Sequence, residues 1–162
     1  MKRFVVLYFL FLAVLFVFLY LPISPAALFL NRIQTDLTLS LLNRFLVPGQ
    51  LQGIDIMINP HYKIVITQAC NGLIPLFFLI ASILAYPAAL LHKVFWMIMG
   101  YLSFTLVNVA RILFVVHWVG QAGGRENFHW SHDIVGNAVL LSVGLGLFIA
   151  FIKSSTLKKR RF

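Results

Sequence analysis

Three residues of this chain have side chains that together could carry out covalent chemistry. Cys70 is the single cysteine, Arg111 lies inside a long apolar run, and His132 follows a polar loop. A guanidinium stays protonated, and placing one at the centre of a bilayer costs at least ~2.5–3.5 kcal/mol, so an arginine there indicates a functional site. A thiol, an imidazole and a fixed positive charge form a set suited to acyl transfer through a thioester.

The sequence context gives each of these side chains a role. Cys70 stands where a helix is predicted to begin, and helix N-termini and nearby cations favour the nucleophilic thiolate. Arg111 is suited to stabilise that thiolate or a developing oxyanion. His132 is suited to act as general base or acid, because imidazole titrates near neutrality. Asn108, three residues before Arg111, falls on the same helical face.

The elements that must position these residues are predicted to lie in a membrane. Of the 162 residues, 61% are hydrophobic and only 10% are charged, which leaves too little polar surface for a soluble globule. No internal repeat and no Pro/Gly/Ser-rich linker divides the sequence, so residues 1–162 are predicted to form a single membrane-embedded domain. The single cysteine excludes an internal disulfide.

Four apolar runs predict four transmembrane helices, each near the ~20 residues that span a bilayer. The runs cover residues 4–21, 72–91, 94–118 and 134–152. The first run is longer than the apolar core of a signal peptide, and no small-x-small cleavage site follows it, so it is predicted to remain as a helix.

The net charge of +9 follows the predicted topology and does not indicate a nucleic-acid partner. Basic residues flank the runs on one side: Lys2, Arg3, His92, Lys93 and the basic tail at 153–162. All four acidic residues fall in the other loops: Asp36, Asp55, Glu126 and Asp133. The positive-inside rule therefore predicts both termini in the cytoplasm, with the basic residues in contact with lipid.

Two further elements are predicted between the first and second runs. Residues 26–47 carry apolar side chains at spacings of three and four, which predicts an amphipathic helix on the outer surface or packed over the bundle. Its stripe consists of Leu30, Ile33, Leu37, Leu41 and Phe45. Residues 50–68 alternate isoleucines around a turn, which predicts a short outward-facing β-hairpin. The predicted class is an all-α polytopic membrane protein.

This topology predicts that the three reactive residues meet in one layer. Cys70 and His132 immediately precede the second and fourth runs on the outer face. Counted from residue 94 at ~1.5 Å per residue, Arg111 lies roughly 25 Å along a ~30 Å hydrocarbon core. Its side chain therefore reaches toward the same surface.

The motifs around these residues resemble the three signatures of the exosortase/archaeosortase family. They are a Cys-x-Gly element, an Asn-x-x-Arg element and a His-x-x-x-Gly element, in that order. In this chain they are Ala69-Cys70-Asn71-Gly72-Leu73, Asn108-Val109-Ala110-Arg111 and His132-Asp133-Ile134-Val135-Gly136. The resemblance covers roughly residues 65–152, and the chain is similar in size to the small members such as exosortase H.

The resemblance implies a membrane cysteine peptidase or transpeptidase of the cell inner membrane, with no cofactor and its site facing the exterior. Its substrates would be secreted proteins with a PEP-CTERM-like C-terminal sorting signal, made of a short motif, a transmembrane helix and a basic tail. The substrate would be held as a thioester on Cys70, with Arg111 and His132 as the other catalytic residues. Asn108, Gly72 and Gly136 are supporting motif residues.

The resemblance has one departure, and the residues leave several alternatives. Many relatives carry an acidic residue where this chain has Gln68. His129 is an alternative catalytic histidine, although the spacing to Gly136 favours His132. His129, His132, Glu126 and Asp133 are also the ligand types of a metal-dependent hydrolase.

A non-enzymatic alternative uses the same polar residues for binding or packing. Arg111 and Asn108 would then bind an anionic ligand or lipid in a membrane assembly or transport component. Arg111 as a snorkelling residue, Cys70 as a small buried residue and Asn108 as an interhelical contact are the purely structural explanations. Gly144 and Gly146 indicate close helix packing.

Overall fold

The computed structural model describes residues 2–122, 132 and 134–159, and this part of the chain is mostly helical with one small sheet. Its α-helices are α1 Lys2–Leu19, α2 Pro25–Leu42, α3 Leu73–Ala85, α4 Leu90–Ala122 and α5 Gly136–Lys159. Between α2 and α3 lie β1 Leu51–Gln52, β2 Asp55–Asn59, β3 Tyr62–Val65 and a 3₁₀ helix, Gln68–Asn71.

Three helices of the described residues are long and apolar enough to cross a bilayer. They are α1, the Leu90–Gln121 part of α4, and the Gly136–Ser155 part of α5. Helix α3 has 13 residues, or about 20 Å, which is short of a ~30 Å hydrocarbon core. It ends because Tyr86 precedes a proline and adopts extended backbone, as steric contact with the proline ring favours. The prediction of four spanning helices is therefore not confirmed.

The short helix α3 packs against α1, α4 and α5. The buried apolar side chains among these helices are Leu73, Leu76, Phe77, Leu79, Ile83, Phe104, Leu140 and Phe151. Gly100 allows α4 to approach α3, because an added Cβ there would lie 2.8 Å from the Leu79 side chain. The 3₁₀ helix Gln68–Asn71 therefore leads directly into the helix that packs against the three others of the bundle.

A second apolar core lies between the sheet and the C-terminal half of α4. Ile56 and Ile64 of the sheet pack here with Val109 and Ile112 of α4. The predicted hairpin is present as antiparallel β2 and β3, with Ile56 opposite Ile64, and β1 adds a third strand. Because α4 has 33 residues, or about 50 Å, it is long enough to cross a bilayer and continue along the sheet. We call this end of the bundle the sheet end.

Helix α2 is shorter than predicted, and its buried residues, Ala27, Gln34, Thr38 and Leu42, are not those of the apolar stripe. It ends at Leu42 and not at residue 47, and Ile33 of the predicted stripe is 43% exposed while Gln34 is 2% exposed. Gln34 accepts a hydrogen bond from the Tyr101 hydroxyl at 2.8 Å and donates to Thr105 Oγ1 at 3.5 Å. Polar side chains inside a membrane protein need hydrogen-bond partners, and Gln34 finds them on α4.

Candidate active site

Cys70 lies in the 3₁₀ helix that connects the sheet to α3. Its backbone N–H donates to the carbonyl of Thr67 at 2.9 Å, and its side chain is buried. Gly72 ends this turn with φ 68°, a left-handed conformation that glycine adopts without steric cost. The thiol therefore stands directly before the first turn of α3, at the sheet end of the bundle.

Helix α2 holds the residue that follows the cysteine. Asn71 Nδ2 donates to Asn31 Oδ1 at 2.6 Å and to Thr35 Oγ1 at 2.8 Å. Asn31 and Thr35 are four residues apart and share one helical face. These bonds join segments 36 or more residues apart in sequence, so α2 fixes the orientation of the turn that carries Cys70.

Gln68 anchors the other end of the same turn. Its Nε2 donates to the carbonyl of Tyr20 at 2.8 Å, just beyond the end of α1. A carboxylate accepts hydrogen bonds but cannot donate them. In this chain, an amide at position 68 makes a contact that an ionised acidic residue would not make.

Asn108 links Cys70 to Arg111. Its Nδ2 donates to the Cys70 carbonyl at 2.7 Å, and its Oδ1 accepts from Arg111 Nη1 at 3.0 Å. An added Cβ at Gly72 would lie 3.1 Å from Asn108 Cγ. Glycine therefore fits at position 72 for two reasons: the backbone is left-handed there, and Asn108 leaves little room for a side chain.

Arg111 is buried on α4 and contacts His132, which lies four positions before α5 begins. Its Nη2 lies 2.8 Å from Nε2 of His132 and 3.4 Å from the His132 carbonyl oxygen. An added Cβ at Gly136 would overlap the Arg111 side chain, with Nε as the nearest atom. Glycine at the start of α5 therefore allows the two helices to meet at the guanidinium.

The same imidazole nitrogen faces the thiol. Nε2 of His132 lies 3.7 Å from Sγ of Cys70, and Thr67 Oγ1 lies 3.7 Å from the same sulfur. Burial raises the pKa of the Cys70 thiol, but the hydrogen bonds with His132 and Thr67 lower it, and the net effect is a pKa below the ordinary value. This is the direction that favours a nucleophilic thiolate.

The contact between Arg111 and His132 defines the state of the imidazole. A guanidinium has only donors, so Nε2 of His132 must accept from Nη2 of Arg111. An imidazole that accepts at Nε2 carries its proton on Nδ1. In this tautomer Arg111 and Cys70 both face the lone pair of Nε2. The lowering of the Cys70 thiol pKa by His132 belongs to the imidazolium, in which Nε2 carries a proton that it can donate to the thiolate.

The structure thus brings together Cys70, Arg111 and His132, which the sequence predicted to share one layer. Asn108 joins them from the helical face that it shares with Arg111. The alternative histidine, His129, and the acidic residues of the metal hypothesis lie outside the described residues. Across 2–122, 132 and 134–159, no group of three His, Cys, Asp or Glu side chains is arranged to hold a metal ion.

The contacts from α1 and α2 were not predicted from the sequence. The residues concerned are Tyr20, Asn31, Thr35, Gln68 and Asn71. A signal for two of them was present, because polar side chains spaced by four on a helix of a membrane protein need partners inside the protein. The amphipathic prediction considered only the apolar stripe.

A cavity of about 330 Å³ opens beside the cluster. Arg111, His132 and Gln68 line it at the sheet end, and Phe78 and Leu141 line it further along α3 and α5. This volume falls in the range of binding sites for small ligands. The cavity opens the Arg111 and His132 side of the cluster.

Fold and site together define a polytopic membrane protein in which buried Cys70 and Arg111 contact a partly buried His132 at the sheet end of the helices. A family model described as transmembrane exosortase matches residues 3–150. The chain belongs to this family, and the match includes α1, α2 and the sheet as well as all three motifs. No curated protein and no solved structure matches it.

Proposed function

We propose that this protein is a cysteine peptidase or transpeptidase that cleaves membrane-tethered proteins through a thioester on Cys70. One observation carries the proposal: Nε2 of His132 lies within 3.7 Å of the Cys70 sulfur and within 2.8 Å of an Arg111 nitrogen. A base beside a nucleophile, oriented by a third group, is the arrangement that activates a weak nucleophile. Membership in the transmembrane exosortase family supports the same class of protein.

In the proposed first step, a substrate carbonyl enters the cavity and its oxygen accepts from Nη2 of Arg111 in place of His132. The lone pair of Nε2 is then available to take the thiol proton, and Sγ of Cys70 attacks the carbonyl carbon. The guanidinium stabilises the oxyanion that develops, and it does so more strongly in a buried site than in water.

In the second step, the tetrahedral intermediate collapses and the scissile C–N bond breaks. The imidazolium of His132 gives its proton to the leaving amine, and the acyl group stays on Cys70 as a thioester. Water or an acceptor amine then attacks the thioester, and His132 accepts the proton from that nucleophile. The C–S bond breaks, and the imidazolium returns this proton to the leaving thiolate, which regenerates the thiol. Water yields hydrolysis and an amine yields transfer.

We assign the sheet end to the exterior of the cell inner membrane and both termini to the cytoplasm. Lys2, Arg3, Lys93 and Lys153 lie at or near the opposite ends of their helices, and cytoplasmic ends are enriched in Lys and Arg. The proposed substrates are exported proteins with a C-terminal signal of a short motif, a transmembrane helix and a basic tail.

The length of α3 supports a substrate that is itself in the membrane. Its 13 residues cover about 20 Å, roughly 10 Å less than the hydrocarbon core. With Tyr86 at the cytoplasmic surface, the start of α3 lies below the outer surface of that core. A substrate held in the bilayer brings its polypeptide to this depth, whereas a soluble peptide would have to enter it.

The proposal is tested by co-expressing the protein with a reporter that has an exported domain and the three-part C-terminal signal. We expect the wild type to process the reporter near the motif and the Cys70→Ala variant to leave it intact. A Cys70→Ala variant that processes the reporter at the wild-type rate would contradict a cysteine mechanism. The matched control is Ser103→Ala, a change of similar size on α4 outside the cluster.

A further inference from the structure

A groove runs along the bundle from the cluster, between α3 and α5. The cavity of about 330 Å³ beside the cluster shares part of its wall with a second cavity of about 180 Å³. The shared residues are Pro75, Phe78, Leu140 and Leu141. On α5 the groove extends from Asn137 to Phe148, which is 11 residues or about 17 Å. This length corresponds to about three turns of a helix.

The two ends of the groove differ in chemistry. At the cluster it is lined by Gln68 and Asn137 as well as by Arg111 and His132. Further along, the side chains that line the groove are apolar except for Ser82. The Ser82 hydroxyl donates to the carbonyl of Phe78 in its own helix at 2.8 Å and is therefore already paired. The end at the cluster therefore suits a non-helical polypeptide segment, whose backbone needs hydrogen-bond partners. The far end suits an apolar helix.

We propose that the apolar helix of the tethered substrate docks in this α3–α5 groove, with the segment beyond its outer end in the cavity that Arg111 and His132 line. This inference rests on the proposed function and adds the binding surface for the substrate helix. Lipid tails would fill an isolated apolar groove, but this one continues into the reactive cluster. A polypeptide that is apolar over three turns and then extended matches both ends.

The position of Cys70 relative to the start of α3 also supports a substrate helix in the α3–α5 groove. Leu73, the first residue of α3, follows Cys70 by three positions. A helix docked beside α3 that ends at the level of Leu73 therefore presents its next residues at the level of the thiol. The cut would fall just outside the substrate helix, and the basic tail of the substrate would extend toward the Lys93 end of the bundle.

Photo-crosslinking from two matched leucines tests the groove. Leu145 lies in the groove and is 62% exposed, and Leu102 on α4 is 50% exposed and lines neither of the two cavities that form the groove. Each is nine positions from a contacting pair, Gly136 and Arg111, so the two leucines lie at similar depth. A benzophenone amino acid replaces one leucine at a time in the Cys70→Ala protein, co-expressed with the reporter.

We expect position 145 to crosslink to the reporter helix about tenfold more than position 102, the ratio that a 1.4 kcal/mol preference gives. Equal yields, or no crosslink from position 145, would overturn the groove. Leu145→Trp should also reduce processing by the active protein, whereas Leu102→Trp should not, which separates a blocked groove from a general folding defect.

The outcome for the groove is independent of the outcome for the chemistry. The crosslinking protein lacks the thiol, so docking is measured without cleavage. Selective crosslinking together with processing that survives Cys70→Ala would support the groove and contradict the peptidase mechanism. Processing that needs Cys70 together with equal crosslinking would support the mechanism and overturn the groove.

Discussion

Nη2 of Arg111 and Nε2 of His132 lie 2.8 Å apart, and the same imidazole nitrogen faces the Cys70 sulfur at 3.7 Å. A guanidinium only donates hydrogen bonds. Arg111 therefore occupies the lone pair of Nε2 that His132 would use as a general base. In the proposed mechanism, a substrate oxygen draws Arg111 away and releases that lone pair. Substrate binding would then add to the hydrogen bonds that already lower the Cys70 thiol pKa, because it frees Nε2 to take the thiol proton.

Replacement of the guanidinium by an ammonium tests whether geometry or charge alone matters. Arg111 contacts Asn108 through one nitrogen and His132 through the other, and lysine has a single nitrogen on a flexible stem. We expect Arg111→Lys to lower the processing rate by about 10²- to 10³-fold, the usual loss of one oxyanion donor. Reporter processing measured over time gives the rate.

The non-enzymatic hypothesis gives the opposite expectation for the same variant. An anion-binding arginine that acts through its charge is replaced by lysine with little loss. Wild-type behaviour of Arg111→Lys, with loss of function only in Arg111→Gln, would therefore favour the binding component over the peptidase.

Asn108 is expected to be required because it contacts both the cysteine backbone and the arginine. Asn108→Leu keeps the volume but removes the bond to the Cys70 carbonyl and the acceptor for Arg111. We expect a destabilisation of about 1–3 kcal/mol from the unpaired buried groups and a loss of processing larger than this explains. Thr105→Val is the control, since Thr105 is buried on the same helix and bonds to Gln34 instead.

The two measurements for this pair are thermal unfolding and reporter processing in purified membranes. Similar unfolding temperatures for the two variants, with processing lost in Asn108→Leu alone, match a positioning role. Equal processing by both variants would show that Asn108 is not needed for the reaction.

The lowered pKa of the Cys70 thiol gives a pH dependence that does not require a substrate. Alkylation needs the thiolate, and the hydrogen bonds with His132 and Thr67 favour that form against the effect of burial. We expect the rate of alkylation by iodoacetamide to rise at a pH below that of an ordinary cysteine. In His132→Ala one lowering contribution is lost, so the rise should move to higher pH.

The rate of alkylation is measured by mass spectrometry across a pH series, with Thr67→Val as a second variant that should shift the curve in the same direction. A His132→Ala curve that coincides with the wild-type curve would show that the histidine does not act on the thiol.

Two glycines on α5 provide a matched pair. An added Cβ at Gly136 would overlap the Arg111 side chain, whereas one at Gly146 would have no neighbour within 4 Å. We expect Gly136→Ala to displace the guanidinium and abolish most processing. Gly146→Ala should retain processing and gain up to about 1 kcal/mol from the better helix propensity of alanine.

The comparison uses processing rate and thermal stability for both variants. If Gly136→Ala remains as active as Gly146→Ala, the close approach of α5 to Arg111 is not needed for the reaction.

The sequence was sufficient to predict that Cys70, Arg111 and His132 share one layer, because each lies at or near the same end of an apolar run. It also predicted the hairpin from the alternation of isoleucines. It did not predict the short length of α3, since hydropathy continues through Tyr86 and Pro87 while the helix stops.

The buried side of α2 was not predicted from the sequence, for a physical reason. Amphipathic patterns are usually interpreted for proteins in water, where the apolar stripe faces the core. In a membrane protein the preference of apolar side chains for the core is weaker. Polar side chains such as Asn31, Gln34 and Thr35 find their hydrogen-bond partners inside the protein. The contact of Asn71 with α2 depends on this orientation, so it could not be predicted from the stripe.

The most direct test of the central claim is intact-protein mass spectrometry of the wild type during turnover of the reporter. We expect an adduct on Cys70 equal to the enzyme plus the exported fragment minus one water, released by hydroxylamine and absent in Cys70→Ala. A reporter cleaved with no such adduct, by wild type and Cys70→Ala alike, would contradict acyl transfer through a thioester.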